Sequence, residues 1–126
     1  MIFEEALRAE LMQISELNKK VFPLAAPKNE KGPFVTYKED DVTFNKTLQG
    51  TGNKAECIYS LIVVSNDYLV LQGVKEKVKD KLLTFWGRQI GTDGPMIQNI
   101  TVKYKGNDYI ESTDEYIANI NLKVNY

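Results

Sequence analysis

From Tyr116 to Tyr126 the chain alternates almost without a break. Tyr116, Ala118, Ile120, Leu122, Val124 and Tyr126 share one parity, opposed by Asn119, Asn121, Lys123 and Asn125. A period of two is the side-chain repeat of a β-strand, so this segment is committed to an extended form with one apolar and one polar face. A strand cannot bury its own apolar face. The rest of the chain must supply neighbouring strands and a layer that covers them.

Two segments have the pattern of that cover. Phe3, Ala6, Leu7, Leu11 and Ile14 recur at helical spacing, with Glu4, Glu5, Arg8, Glu10 and Gln13 between them. That spacing predicts an amphipathic helix of about three turns, ending near Ser15 to Asn18. Its early acids suit the positive end of the helix dipole. After Asn66 and Asp67, which offer a cap, Leu71, Val74, Val78, Leu82 and Phe85 form a second stripe, while Lys75, Glu76, Lys77, Lys79 and Asp80 face away. Leu83 and Trp86 are expected to widen that apolar face, and Gly87 to end the helix.

Val21-Phe22-Pro23 reads as a short extended piece, followed by a proline-rich surface loop to Pro33. Phe34-Val35-Thr36-Tyr37 begins a strand that continues toward Phe44. Asn45 to Lys54, with Gly50, Gly52 and Asn53, reads as a hairpin connection or arm. Ala55 to Ser65 is the central strand. Ala55, Cys57, Tyr59, Leu61 and Val63 lie on one face and Ile58, Ile62 and Val64 on the other, so a cover is expected on both sides, a helix on one and another subunit on the other. Gln89 to Pro95 is a turn-rich link. Met96 to Tyr104 is then expected to pair with the C-terminal strand through a turn at Gly106-Asn107-Asp108. The order helix, strands, helix, strands predicts one α+β domain over residues 1–126, with two helices packed on a mostly antiparallel sheet.

Composition narrows the chemistry. The 126 residues include no histidine and one cysteine, so histidine-dependent triads cannot form within one chain, nor can an internal disulfide. Cys57 lies in a hydrophobic run and reads as a small core residue. Gly50-Thr51-Gly52 lacks the lysine and following helix of a phosphate-binding loop. Lys38-Glu39-Asp40-Asp41 and Asp114-Glu115 are the dense acidic spots, without the regular spacing of a calcium loop, and read as solvated strand edges. Lys75, Lys77, Lys79 and Lys81 are spread around a helix and diluted by Glu76 and Asp80. With a formal net charge of -1, no direct nucleic-acid binding is expected. No catalytic residue, cofactor or metal site is assigned. Acids at Glu4 and Glu5 and the shortness of the apolar runs point to folding in the cytosol without a membrane span.

Phe3-Glu4-Glu5-Ala6-Leu7-Arg8-Ala9, Val21-Phe22-Pro23-Leu24-Ala25-Ala26-Pro27 and Gly32-Pro33-Phe34-Val35-Thr36-Tyr37 together resemble the small tail-completion, or tail-to-head joining, proteins of long-tailed bacteriophages and prophages. Thr47-Leu48 and Gly50, the strand from Cys57 to Val64, the second helix and the alternating C-terminal strand agree with the resemblance. It implies a non-catalytic protein of the virion tail, assembled in the host cytoplasm. Copies would form a ring that contacts the tail-tube protein and the head-connector proteins. Rings need one surface of each copy to fit a different surface of the next. The turn-rich segments between well-patterned elements are the expected contacts: Phe44, Asn45, Leu48, Gly50, Gly52 and Asn53 in the arm, Gln89, Ile90, Asp93 and Met96 in the link, and the exposed edge of the C-terminal hairpin. A small cytosolic binding or regulatory domain of a bacterial protein would share the same fold signals. A metal-dependent hydrolase built on Asp40-Asp41 or Asp114-Glu115 is a third reading.

Overall fold

The computed structural model describes residues 2–27, 32–46 and 53–126, and their side chains except those at 45, 46, 53 and 54. Its elements are helix α1 (Phe3–Leu11), one turn of 3-10 helix (Ser15–Leu17), strands β1 (Val21–Pro23), β2 (Phe34–Lys46) and β3 (Asn53–Ser65), helix α2 (Tyr68–Leu83), and strands β4 (Asn99–Ile110) and β5 (Glu115–Asn125). The strands form one sheet in the order β1-β2-β3-β5-β4. Among the described residues the β1–β2 pair alone is parallel, and β2–β3, β3–β5 and β4–β5 are antiparallel. The architecture is α+β, as the residue pattern predicts.

Register explains the core. Val35, Val63 and Ala118 line up across β2, β3 and β5, followed by Tyr37, Leu61 and Ile120, and then by Val42, Cys57 and Val124. All of these are buried except Val42, which is partly buried against the rest, and α1 and α2 lay Phe3, Ala6, Leu7, Leu11, Leu71, Val74, Val78 and Leu82 over them. Each such aliphatic side chain contributes on the order of 1.5–3 kcal/mol when removed from water. Asp67 caps α2: its carboxylate accepts from the amides of Leu69 (2.9 Å) and Val70 (3.2 Å).

Three local expectations are corrected. The second helix stops at Leu83, because Phe85 turns into the core; its neighbours are left outside, Trp86 70% and Leu83 48% exposed. Gly87 then takes a positive φ of 74° in the turn beyond the helix end. Gly106-Asn107-Asp108 is not the hairpin turn. Gly106, at φ 108°, sits in a bulge after Tyr104, and the strand runs on to Ile110. The turn is residues 111–114, closed by Asp114 at φ 53°, a left-handed position that Asp tolerates. Glu10, placed by periodicity on the outer face of α1, is 4% exposed. The helices cover the Cys57, Tyr59, Leu61 and Val63 face of β3, supplying the helix cover expected on one side. On the other face Ile58 and Ile62 stay partly exposed, while Val64, opposite Phe34, is buried.

Candidate interaction surface

The β2–β3 hairpin is paired out to Lys46 opposite Asn53, while the β3–β5 pairing reaches only Glu56 opposite Asn125, with Ala55 and Tyr126 exchanging backbone hydrogen bonds. The hairpin therefore projects past the sheet as an arm. Phe44 lies on it opposite Ala55, 72% exposed. The backbones of Asn45 and Asn53 complete its ladder. Leu48, Gly50 and Gly52 lie outside the described residues.

At the base of the arm the core surfaces. Phe3 stacks on Tyr126 (5.4 Å between centroids) and tilts against Tyr59 (5.2 Å). The Tyr59 hydroxyl donates to Glu39 at 3.1 Å, with Glu4 at 3.4 Å. Burial first, and then this carboxylate, pushes the Tyr59 hydroxyl's pKa far above its ordinary value. The Cys57 thiol donates to the Tyr126 hydroxyl at 3.3 Å, and burial raises its pKa. A thiol so protonated is a poor nucleophile, in keeping with a core role. Two hollows flank Tyr126. One, of about 200 Å³, is rimmed by Ile2, Val42 and Phe44; the other, of about 550 Å³, by Trp86, Gln98, Asn99 and Glu56. Trp86 is held in place by its indole N–H, which donates to the Gln98 carbonyl at 3.1 Å. Exposed tryptophan and phenylalanine beside hollows are the residue types that carry binding energy at protein contacts.

The link from Gly87 to Met96 is a folded-back loop. Gln89 and Met96 bridge antiparallel, and the Gly87 amide donates to Ile97 at 2.9 Å. Gln89, Asp93 and Met96 are exposed, and Met96 is 56% so. Ile90 differs: it is fully buried, so its side chain anchors the loop from below and offers nothing to a partner. The deeper anchor is Glu10, which sequence periodicity did not reveal. Its carboxylate accepts from Arg88, from the Gly91 amide at 2.9 Å and lies 3.4 Å from Lys81. The Arg88 bonds dominate, outweighing desolvation, and lower its pKa to about 2. Its one sequence hint is its position directly before the apolar stripe residue Leu11.

The lysines of α2 are engaged within the molecule. Lys75 lies 4.5 Å over the Tyr104 ring, Lys77 pairs with Glu16, Lys79 pairs with Glu76 at 2.7 Å, and Lys81 donates to Gln13 at 2.7 Å. Asp40 accepts from Ser60, and Asp114 accepts from the Tyr109 hydroxyl at 2.6 Å. Among the described residues no three His, Cys, Asp or Glu side chains group closely enough to hold a metal ion, and no helix is long and apolar enough to cross a membrane.

No family model matches the sequence, and no curated relative does. The fold is similar to a solved chain of the "Virion of native gene transfer agent (GTA) particle", with a TM-score of 0.68 and 16% identity, covering 97% of this chain and 89% of that one.

Proposed function

We propose that this chain is a non-catalytic structural protein of a phage or phage-like particle, which completes the tail and joins it to the head connector as one copy in a ring. The observation that carries the reading is the likeness of fold to a gene transfer agent virion chain over nearly the full length of both. The resemblance of the 3–9, 21–27 and 32–37 segments to tail-completion proteins supports it independently. So does the surface around Tyr126, where an arm, exposed Phe44 and Trp86 and two hollows lie at one end of the sheet, an arrangement suited to holding protein. The partners are then other copies, the tail-tube protein and the head-connector proteins. The location is the virion tail, reached after folding in the host cytoplasm.

The test is genetic. Particles are prepared from an induced lysogen that carries or lacks the coding sequence, examined by electron microscopy, and analysed for this polypeptide by mass spectrometry. The expected result is separate filled heads and finished tails without it, and joined particles containing it when it is restored. Normal joined particles in its absence would refute the role and leave a cytosolic binding domain as the better description.

A further inference from the structure

Both outer edges of the sheet are open, and they differ in charge. At one side β1 covers β2 only opposite Val35 to Tyr37, so from Lys38 onward β2 has no outer neighbour among the described residues. At the other side β4 ends the sheet, with no strand beyond it among the described residues. The open part of β2 begins with Lys38 and three successive carboxylates, Glu39, Asp40 and Asp41, all exposed; Lys38 already lies 4.0 Å from Asp40, and the other lysine, Lys46, stands at the far end of the strand. The middle of β4 carries Lys103 and Lys105. Both are exposed, and neither has an ion-pair partner among the described residues. The acid of that strand, Asp108, lies farther along, toward the 111–114 turn.

We propose that a second copy of this chain adds its β4 edge to the open β2 edge of the first, acid against lysine, extending the sheet from copy to copy. This rests on the ring-forming role proposed above and names the contact that builds the ring. Strand direction allows it: β2, β3, β5 and β4 alternate, so two copies set side by side the same way up bring β4 and β2 together antiparallel, the more stable ladder. Charge selects it. Two β2 edges would meet as carboxylate against carboxylate and two β4 edges as lysine against lysine, whereas the unlike edges neutralise each other. Like-edge, two-fold pairing is thereby disfavoured, and head-to-tail pairing, the kind that closes into rings, is favoured. The same charges keep free copies from indiscriminate edge aggregation.

Two full-length variants test this: Asp40→Lys with Asp41→Lys, in which both edges are basic, and Lys103→Glu with Lys105→Glu, in which both are acidic. Each is first shown to be soluble, with wild-type circular dichroism. They are then supplied singly and together to a lysogen lacking the chain, and joined particles are counted. Each alone is expected to give about 100-fold fewer particles, since like charges set against each other are strongly unfavourable. Supplied together they are expected to recover most of the yield, because acidic and basic edges then alternate between copies. Full yield from either variant alone, or no recovery from the pair, overturns the edge contact even if the wild-type chain joins heads to tails. A wild-type chain that does not restore joining overturns the proposed function, and the edge contact with it.

Discussion

Glu10 of α1 and Arg88 beyond α2 lie 78 residues apart in sequence and meet through two hydrogen bonds, Nη2 to Oε1 at 2.7 Å and Nη1 to Oε2 at 3.2 Å. The same carboxylate accepts from the Gly91 amide, so one buried acid ties the first helix to the exposed link that ends at Met96. A bidentate pair built on a buried carboxylate is stiff. It gives the link one shape although the link contains little regular structure.

Acid should undo this bond before it undoes the core. The Glu10 carboxyl titrates at about 2 in the folded chain against an ordinary 4.5. A folded value below the unfolded one contributes stability that is complete above pH 4.5 and disappears as the pH falls toward 2. The shift corresponds to a contribution on the order of 3 kcal/mol. Glu10→Gln should lower stability at neutral pH by about that much and flatten the fall between these pH values, as read from urea melts across the range. An unchanged acid profile in the variant would assign the effect to other carboxylates.

Gly94 is a second tight point in the link. A Cβ built there would lie 2.1 Å from the Ile90 carbonyl oxygen and 2.7 Å from the Ala6 Cβ, distances no packed structure accepts. Gly94→Ala should therefore destabilise by about 2 kcal/mol or more, and urea denaturation measures it directly.

The cap of α2 predicts a graded series. Asp67→Ala leaves the Leu69 and Val70 amides without their acceptor and should cost about 1 kcal/mol, while Asp67→Ser, which also caps, should cost much less. Equal losses in thermal melts would mean that the cap contributes through its charge alone.

Cys57 should resist a thiol reagent in the folded protein. It is 1% exposed, and burial raises its pKa, so labelling requires opening of the core. Labelling should follow the global unfolding curve in urea. Fast labelling in buffer would contradict the burial.

Trp86→Ala and Phe44→Ala should separate stability from assembly. These side chains are 70% and 72% exposed, so each change should alter folding stability by less than about 1 kcal/mol. Head-to-tail joining should nonetheless fall by roughly tenfold or more if either residue is a contact anchor. Wild-type joining by both variants would remove the Tyr126 end of the sheet as the contact surface.

Much of the architecture can be read from period alone. The parity of β5 and of Ala55 to Ser65, and the Leu71, Val74, Val78, Leu82 stripe, each name a buried face, and the structure buries those faces. Turn chemistry is less legible. Gly106-Asn107-Asp108 has turn composition yet lies within β4, because a bulge uses the same glycine freedom that a turn does, and only the pairing of the partner strand distinguishes them. Of the candidate contact residues, Phe44, Gln89, Asp93 and Met96 are exposed, whereas Ile90 is drawn inside by its own hydrophobicity.

Local spacing by itself determined which residues are extended, which are helical and which side of each is apolar, because those properties arise from repeats of two and 3.6 residues within single segments. Tertiary structure alone decided strand order, the burial of Glu10 and the opposite charge of the sheet's two open edges. Each of these depends on which distant segments lie side by side, and a long-range pairing such as Glu10 with Arg88 leaves no periodic mark on either segment taking part.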